Sequence, residues 1–185
     1  MLRFYNLFNI EQTEGIAVPP ATESNNPFTP IEQAELVIFN MPHKPLIQHM
    51  GNRATYNVRT DTVTLPQKHT FDSEEEYYST AYHELCHSTM AEHRLNRRAS
   101  IQVHKFGDEE YSKEELVAEC GAAFLCGYSD IHNSTINNSV AYLQGWLRAL
   151  KNDRTLLVHA AALAQKACDY ILNKKEGDEP MNDID

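Results

Sequence analysis

The sequence predicts an α+β protein in which a small antiparallel sheet packs on a largely helical body. Three short runs of strand-forming residues, 46–49, 53–58 and 62–65, are separated by turn residues and end at Pro66. After them the pattern changes to apolar residues at helical spacing, with a start signal before each stretch.

Residues 2–10 alternate enough to form a strand, with Leu2, Phe4, Asn6 and Phe8 on one side. Residues 17–30 shift to Pro, Ser, Asn and Thr and read as an extended linker. Thr29-Pro30-Ile31-Glu32 has the form of a capping box with proline at the first helical position, so a helix is expected from Pro30 to about Asn40, stopped by Pro42 and Pro45. The three strands follow, with a turn at Arg59-Thr60-Asp61. Asp72 or Ser73 then caps a helix whose first turn carries Glu74, Glu75 and Glu76, favourable at the positive end of the helix dipole. Helices are further expected from Ser112 to about Tyr128, from 137 to 150 and from 152 to about 172. Ala118, Gly121, Ala122 and Ala123 suit the first of these to lie close against the helix that begins near residue 73. Trp146 reads as helix packing and His159 as a surface or packing histidine. The acidic end of the chain is expected to be disordered.

At 185 residues the chain is most economically one domain with a substantial core. Its 16 basic and 26 acidic residues give a formal charge of −10, which makes unaided nucleic-acid binding a poor expectation. No stretch has the length of a membrane-spanning helix, and the first residues lack the apolar core of a signal peptide, so a cytoplasmic location is expected, with no membrane partner. Cys86, Cys120, Cys126 and Cys168 all fall in helical patterns without a CxxC pair, and are expected to be buried, reduced thiols.

The chemistry concentrates in Ala81-Tyr82-His83-Glu84-Leu85-Cys86-His87, which contains HExxH. Residues four apart on a helix lie one turn above each other, so His83 and His87 can aim two imidazole nitrogens at one Zn2+ ion. Glu84 leans to the same side and can act as the catalytic base toward a water held by the metal. Tyr77, Tyr78, Ala81, Leu85 and Cys86 form a separate stripe directed at a core.

Catalytic zinc usually takes three protein ligands, and three residues compete for the third place. His93 has the spacing of the metzincin pattern, but Met90 stands where that pattern has glycine, and a methionine there is expected to prolong the helix and carry His93 away. Glu114-Glu115-Leu116-Val117-Ala118-Glu119 resembles the gluzincin arrangement; on that resemblance Glu115 binds the metal and Glu119, in the second shell, orients a ligating histidine. Against this, Ser112-Lys113-Glu114-Glu115 also has the form of a capping box, which would turn Glu115 back to the Ser112 amide and leave Glu119 as ligand. The basic run Arg94-Leu95-Asn96-Arg97-Arg98 fits either a carbonyl-capping helix end or a substrate contact. Tyr56 and Tyr111 are candidates for stabilising an oxyanion.

Over residues 30–173 the chain resembles the zincin-like metallopeptidase domain of the ArdC antirestriction family, which is related to the domain beside TraC-type primases. The motifs that carry the resemblance are 77–87 around HExxH, Arg94-Leu95-Asn96-Arg97, Phe106-Gly107-Asp108, Glu114 to Glu119, 121–125, 164–171, Ala54-Thr55-Tyr56 and 61–66. Residues 5–15 resemble the end of that family's single-stranded-DNA-binding domain, whose body does not appear in this sequence. The resemblance implies a division into an N-terminal strand and linker (1–29), a gluzincin-type zincin domain (30–173) and an acidic tail (174–185). It implies a zinc metallopeptidase that hydrolyses a protein or peptide laid along an edge strand, with Glu84 as base and His83, His87 and Glu115 on Zn2+. The competing expectation is a non-catalytic antirestriction accessory protein that uses the zinc fold as a scaffold for a protein partner.

Overall fold

The computed structural model describes residues 28–97, 109–131 and 155–174. Within them the elements run α1 (Glu32–Asn40), β1 (Leu46–His49), β2 (Thr55–Asn57), β3 (Thr62–Leu65), a 3-10 turn (Lys68–Thr70), α2 (Glu74–Ser88), α3 (Glu109–Tyr128) and α4 (Leu156–Ile171). The strand expected at 2–10, the linker up to residue 27, the helix at 137–150, the helix start at 152–153 and the tail from 175 lie outside the described residues.

The sheet is mixed, where a purely antiparallel one was expected. β3 pairs antiparallel with β2, Tyr56 facing Val63, and parallel with β1, Ile47 facing Val63, so that β3 is central. Burial accounts for the order. Val63 and Leu65 are fully buried whereas the residues of β2 alternate between exposed and half-buried, so the most apolar strand occupies the middle. With the chain reversing at each connection, placing β3 there makes β1 and β3 run the same way. The β2–β3 turn is fixed by the Asn57 side chain, whose Oδ1 accepts from the amides of Arg59 at 3.0 Å and Thr60 at 3.4 Å, while Asp61 takes the left-handed conformation at φ 49°.

Ser73 caps α2, its Oγ accepting from the Glu76 amide at 3.2 Å, and Glu76 Oε2 reaches back to the Asp72 amide at 2.9 Å. Tyr77, Tyr78, Ala81, Tyr82, Leu85 and Cys86 are buried in one core with Val63, Leu65 and the apolar residues of α1, α3 and α4. The capping box expected for α1 does not form: its N-cap is Ile31, and the Thr29 amide instead donates to Glu74 Oε1 at 2.9 Å. The strap before α1 is thereby tied to the first turn of α2, where a carboxylate is already favoured. Glu35 on α1 completes the link, accepting from Tyr78 Oη at 2.7 Å and Lys68 Nζ at 3.0 Å.

α2 ends at Ser88, with Thr89 as C-cap, although Met90 was expected to prolong it. Side chains do the stopping that glycine would otherwise do. Ser88 Oγ and Thr89 Oγ1 donate to the carbonyls of Leu85 and Cys86 at 2.7 Å each, Arg94 Nη1 donates to Ser88 O at 3.0 Å and Arg97 Nη2 to Cys86 O at 3.2 Å. The basic run is therefore a carbonyl-capping device: Arg94, with a fully buried side chain, also forms a two-pronged pair with Asp61 at 2.7 and 2.8 Å.

α3 packs against both α2 and α4. At its centre Gly121 lies over Cys86, and a β-carbon built on Gly121 would stand 2.5 Å from Cys86 Sγ but 3.4 Å from Cys86 Cβ. The missing side chain is what lets the two helices touch. All four cysteines are free, with Cys86, Cys126 and Cys168 buried and Cys120 half-buried. We expect Gly121→Ala to destabilise the fold by about 1–3 kcal/mol through overpacking, and Cys86→Ala to remove most of that cost when combined with it. Denaturant unfolding of the two single variants and the double variant measures the coupling; additive effects would show that the helices are not in contact at this point.

Candidate metal centre

His83 and His87 project from one face of α2, one turn apart, with their Nε2 atoms 3.1 Å from each other. Glu115 approaches from α3 and sets one carboxylate oxygen against each ring, Oε2 at 3.5 Å from His83 Nε2 and Oε1 at 3.4 Å from His87 Nε2. One donor atom from each residue lies within 4.8 Å of the others. Two ligands bonded to a tetrahedral cation at about 2.1 Å stand about 3.4 Å apart. The observed separations match that spacing, and the His2Glu donor set is one that divalent transition ions accept. These residues fit a metal.

The carboxylate of Glu115 is turned to the histidines, and α3 begins at Glu109, three residues before Ser112, so the backbone of Ser112 lies inside the helix and not at its N-cap. Glu119, one turn further along α3, places Oε1 3.5 Å from His83 Nδ1, behind the ring. His93 points elsewhere, with Nε2 3.4 Å from Asp61 Oδ2 and a half-exposed side chain. Tyr56 is engaged as well, its hydroxyl donating to Asp61 Oδ1 at 2.9 Å. Tyr111 lies outside the described side chains, and His159 is exposed on α4.

Glu84 is 7% exposed and sits under the sheet, with its carboxylate facing the backbone amide of Tyr56 on the edge strand β2. Burial pushes its pKa up, and the Glu115 charge adds to that, while His87, His83 and the Tyr56 amide pull the other way; the net direction is upward. Burial also raises Glu119, against the pull of His83. Burial would raise Glu115 too, but its contacts with His83 and His87 prevail and hold it far below the ordinary carboxylate range. For His87, desolvation favours the neutral ring, yet the carboxylates of Glu114 and Glu115 outweigh it and push the pKa up to about 10.

Glu114 was passed over in the sequence as part of a helix start. It is buried, and its Oε1 lies 3.7 Å from His87 Nδ1 and 2.6 Å from Arg97 Nη2. Two consecutive glutamates on a helix diverge by about 100°, so Glu114 and Glu115 can address opposite sides of the same imidazole. That divergence was the readable signal.

Residues 32–163 match the zincin-like metallopeptidase family. The chain belongs to this family. The zincin is 36% identical over 170 residues to a DNA primase TraC of Escherichia coli, covering 91% of this chain and 15% of the primase. It is 30% identical over 182 residues to the protein y4eC of Sinorhizobium fredii (strain NBRC 101917 / NGR234), covering 98% of this chain and 57% of that protein. It thus spans a small part of the primase and little more than half of y4eC. Among solved structures it resembles the Mn(II)-bound crystal structure of the antirestriction protein ArdC from the R388 plasmid, with 35% identity, a TM-score of 0.60, and coverage of 77% of this chain and 51% of ArdC. The metal-free ArdC structure gives 35% identity and a TM-score of 0.58 over 76% and 48%. The ArdC-like zincin fold expected from the motifs is the fold found. Among the described residues no helix is long and apolar enough to cross a membrane.

Ligation requires a neutral imidazole, whereas Glu114 and Glu115 keep His87 protonated up to about pH 10. A raised pKa means that the proton is still bound at neutral pH and must leave when the cation enters. Metal binding to this zincin should therefore release a proton at pH 7–8, and the affinity should rise with pH by up to about tenfold per unit from this group until it levels near 10. Calorimetric titration in buffers of different ionisation enthalpy reads the proton count directly; a count of zero would contradict the assignment.

Proposed function

We propose that this zincin is a zinc-dependent peptidase in which His83, His87 and Glu115 hold Zn2+, Glu84 is the catalytic base and Glu119 orients His83. The reading is carried by one observation, the triangle of donor atoms from His83, His87 and Glu115 at tetrahedral spacing with the buried Glu84 on the same helix face. A divalent cation bound there would supply Lewis acidity, lowering the pKa of a water and polarising a carbonyl. The protein's own contribution is positional. α2 fixes the two imidazoles and the buried Glu84 carboxylate, which faces the Tyr56 amide and can take a proton from the attacking water and return it to the leaving amine, and α3 brings the negative charge. Its substrate on this reading is a protein or peptide, and the edge strand β2 above Glu84 offers backbone groups to an extended segment.

A second reading keeps the metal and drops the hydrolysis. The similarity to the antirestriction protein ArdC and the formal charge of −10 favour a scaffold whose acidic surface engages a basic protein, with plasmid or phage DNA protected as a result.

Glu84→Gln separates the two. For a peptidase it should retain stoichiometric zinc and lower hydrolysis of a denatured-protein substrate by roughly 100- to 10,000-fold, while His83→Ala loses the metal. Purified wild-type protein that takes up no zinc, or a Glu84→Gln variant as active as wild type, would reject the catalytic assignment. If Glu84→Gln still protects incoming DNA from restriction while surface Asp and Glu changes abolish protection, the scaffold reading stands.

A further inference from the structure

Arg97 lies nine residues after the end of α2 and ten residues from the second metal-site histidine, yet it is 8% exposed and reaches both helices of the site. Its Nη2 donates to the carbonyl of Cys86 at 3.2 Å and to Glu114 Oε1 at 2.6 Å, and its Nη1 donates to Thr89 Oγ1 at 2.5 Å. Cys86 is the residue immediately before His87, and Glu114 is the residue immediately before Glu115. One planar guanidinium thus grips each helix one position away from a residue of the donor triangle.

The same contact fixes a carboxylate behind His87. Its Nδ1 is buried and makes no hydrogen bond, with Glu114 Oε1 3.7 Å away. An imidazole that gives Nε2 to a cation carries its proton on Nδ1, and leaving that N–H buried without an acceptor is unfavourable. A carboxylate oxygen has two lone pairs, so Glu114 Oε1 can accept from Arg97 and from His87 together. A shift of a few tenths of an ångström closes the gap, and Arg97 holds the acceptor still while the ring moves.

We propose that Arg97 is a positioning residue for the metal centre, acting through Glu114 on the His87 ring and through the Cys86 carbonyl on the spacing of α2 and α3. The inference rests on the reading of His83, His87 and Glu115 as the metal ligands. It distinguishes Arg97 from Arg94, whose guanidinium joins the Ser88 carbonyl at the end of α2 to Asp61 and the His43 carbonyl, on the side of the sheet, and does not bridge α2 to a carboxylate of α3. Lysine cannot replace Arg97, because a single ammonium lacks the fork that spans both helices.

The test compares zinc affinity, by competition with a chelator of known affinity, in wild type, Arg97→Lys and Glu114→Gln, with Arg94→Lys as the control for a general loss of stability. Arg97→Lys and Glu114→Gln should each weaken zinc by about 10- to 100-fold, and the visible absorption of the Co2+-loaded proteins should change in position or intensity. Arg94→Lys should lower the unfolding temperature while leaving the affinity of the folded protein within about twofold. If Arg97→Lys does not fold, Glu114→Gln carries the affinity measurement. Nitrogen NMR of the zinc-loaded wild type adds a readout without mutation, since the His87 Nδ1 proton should be slow to exchange. Wild-type zinc affinity in both variants with an unchanged cobalt spectrum would overturn the proposal; a wild type that binds no zinc would instead overturn the metal reading beneath it.

Discussion

The close approach of α2 and α3 is the constraint on which the site depends. His83 and His87 share a helix, so their separation is set by helix geometry alone, but Glu115 lies 28 residues after His87 and can face them only if α3 lies directly against α2. Gly121 over Cys86 permits that contact, and the small buried residues Ala118 and Ala122 extend it along α3. A side chain at 121 would lever the helices apart near Glu119 and Glu115. Two carboxylate contacts of 3.4–3.5 Å would not survive a displacement of an ångström, so core packing and ligand geometry are one requirement here.

The electrostatics of the site follow from the same packing. Glu84, Glu114, Glu115 and Glu119 are all brought around two imidazoles, with Arg97 as the permanent cation beside Glu114. Desolvated negative charge on that scale is unfavourable unless it is compensated. The chain's own compensation is visible in the opposed shifts: Glu115 stays ionised against His83 and His87, while burial drives Glu84 and Glu119 toward the protonated form. A divalent cation would replace that shared protonation with a fixed charge. This is why proton release and metal uptake are coupled in such a cluster.

The sheet enters the site at one point. β2 lies at the edge nearest α2, and the Tyr56 amide faces the Glu84 carboxylate. Central placement of β3 is what makes β2 the edge strand; in a simple three-strand meander β2 would be central and its backbone groups consumed on both sides. The burial of Val63 and Leu65 therefore decides which amide lies beside Glu84. Meanwhile the Tyr56 hydroxyl is drawn off to Asp61, which Arg94 holds from the other side, so backbone and side chain of one residue serve different parts of the fold.

Local patterns made α2 legible from sequence: Ser73 and the acidic first turn marked its start, and helical spacing put His83, Glu84 and His87 on one face. Long-range partners were harder. Thr29 and Ser112 both begin correct capping-box patterns and neither stands at an N-cap, because the Thr29 amide is taken by Glu74 while Ile31 holds that place on α1, and α3 starts at Glu109. A capping box is a local preference of about 1 kcal/mol, and tertiary contacts of similar size displace it. Met90 misled for a related reason. The expectation that it would extend α2 counted only backbone preference, whereas Thr89 and Arg97 bond the Cys86 carbonyl and Arg94 bonds the Ser88 carbonyl, acceptors that an extra turn would need. Arg97 was the least legible residue of all, since its role depends on two acceptors 11 and 17 positions away. A guanidinium in a basic run reads as solvated until its surroundings are known. Only the packing of α3 on α2 buries it and turns it from a surface charge into the link between two helices.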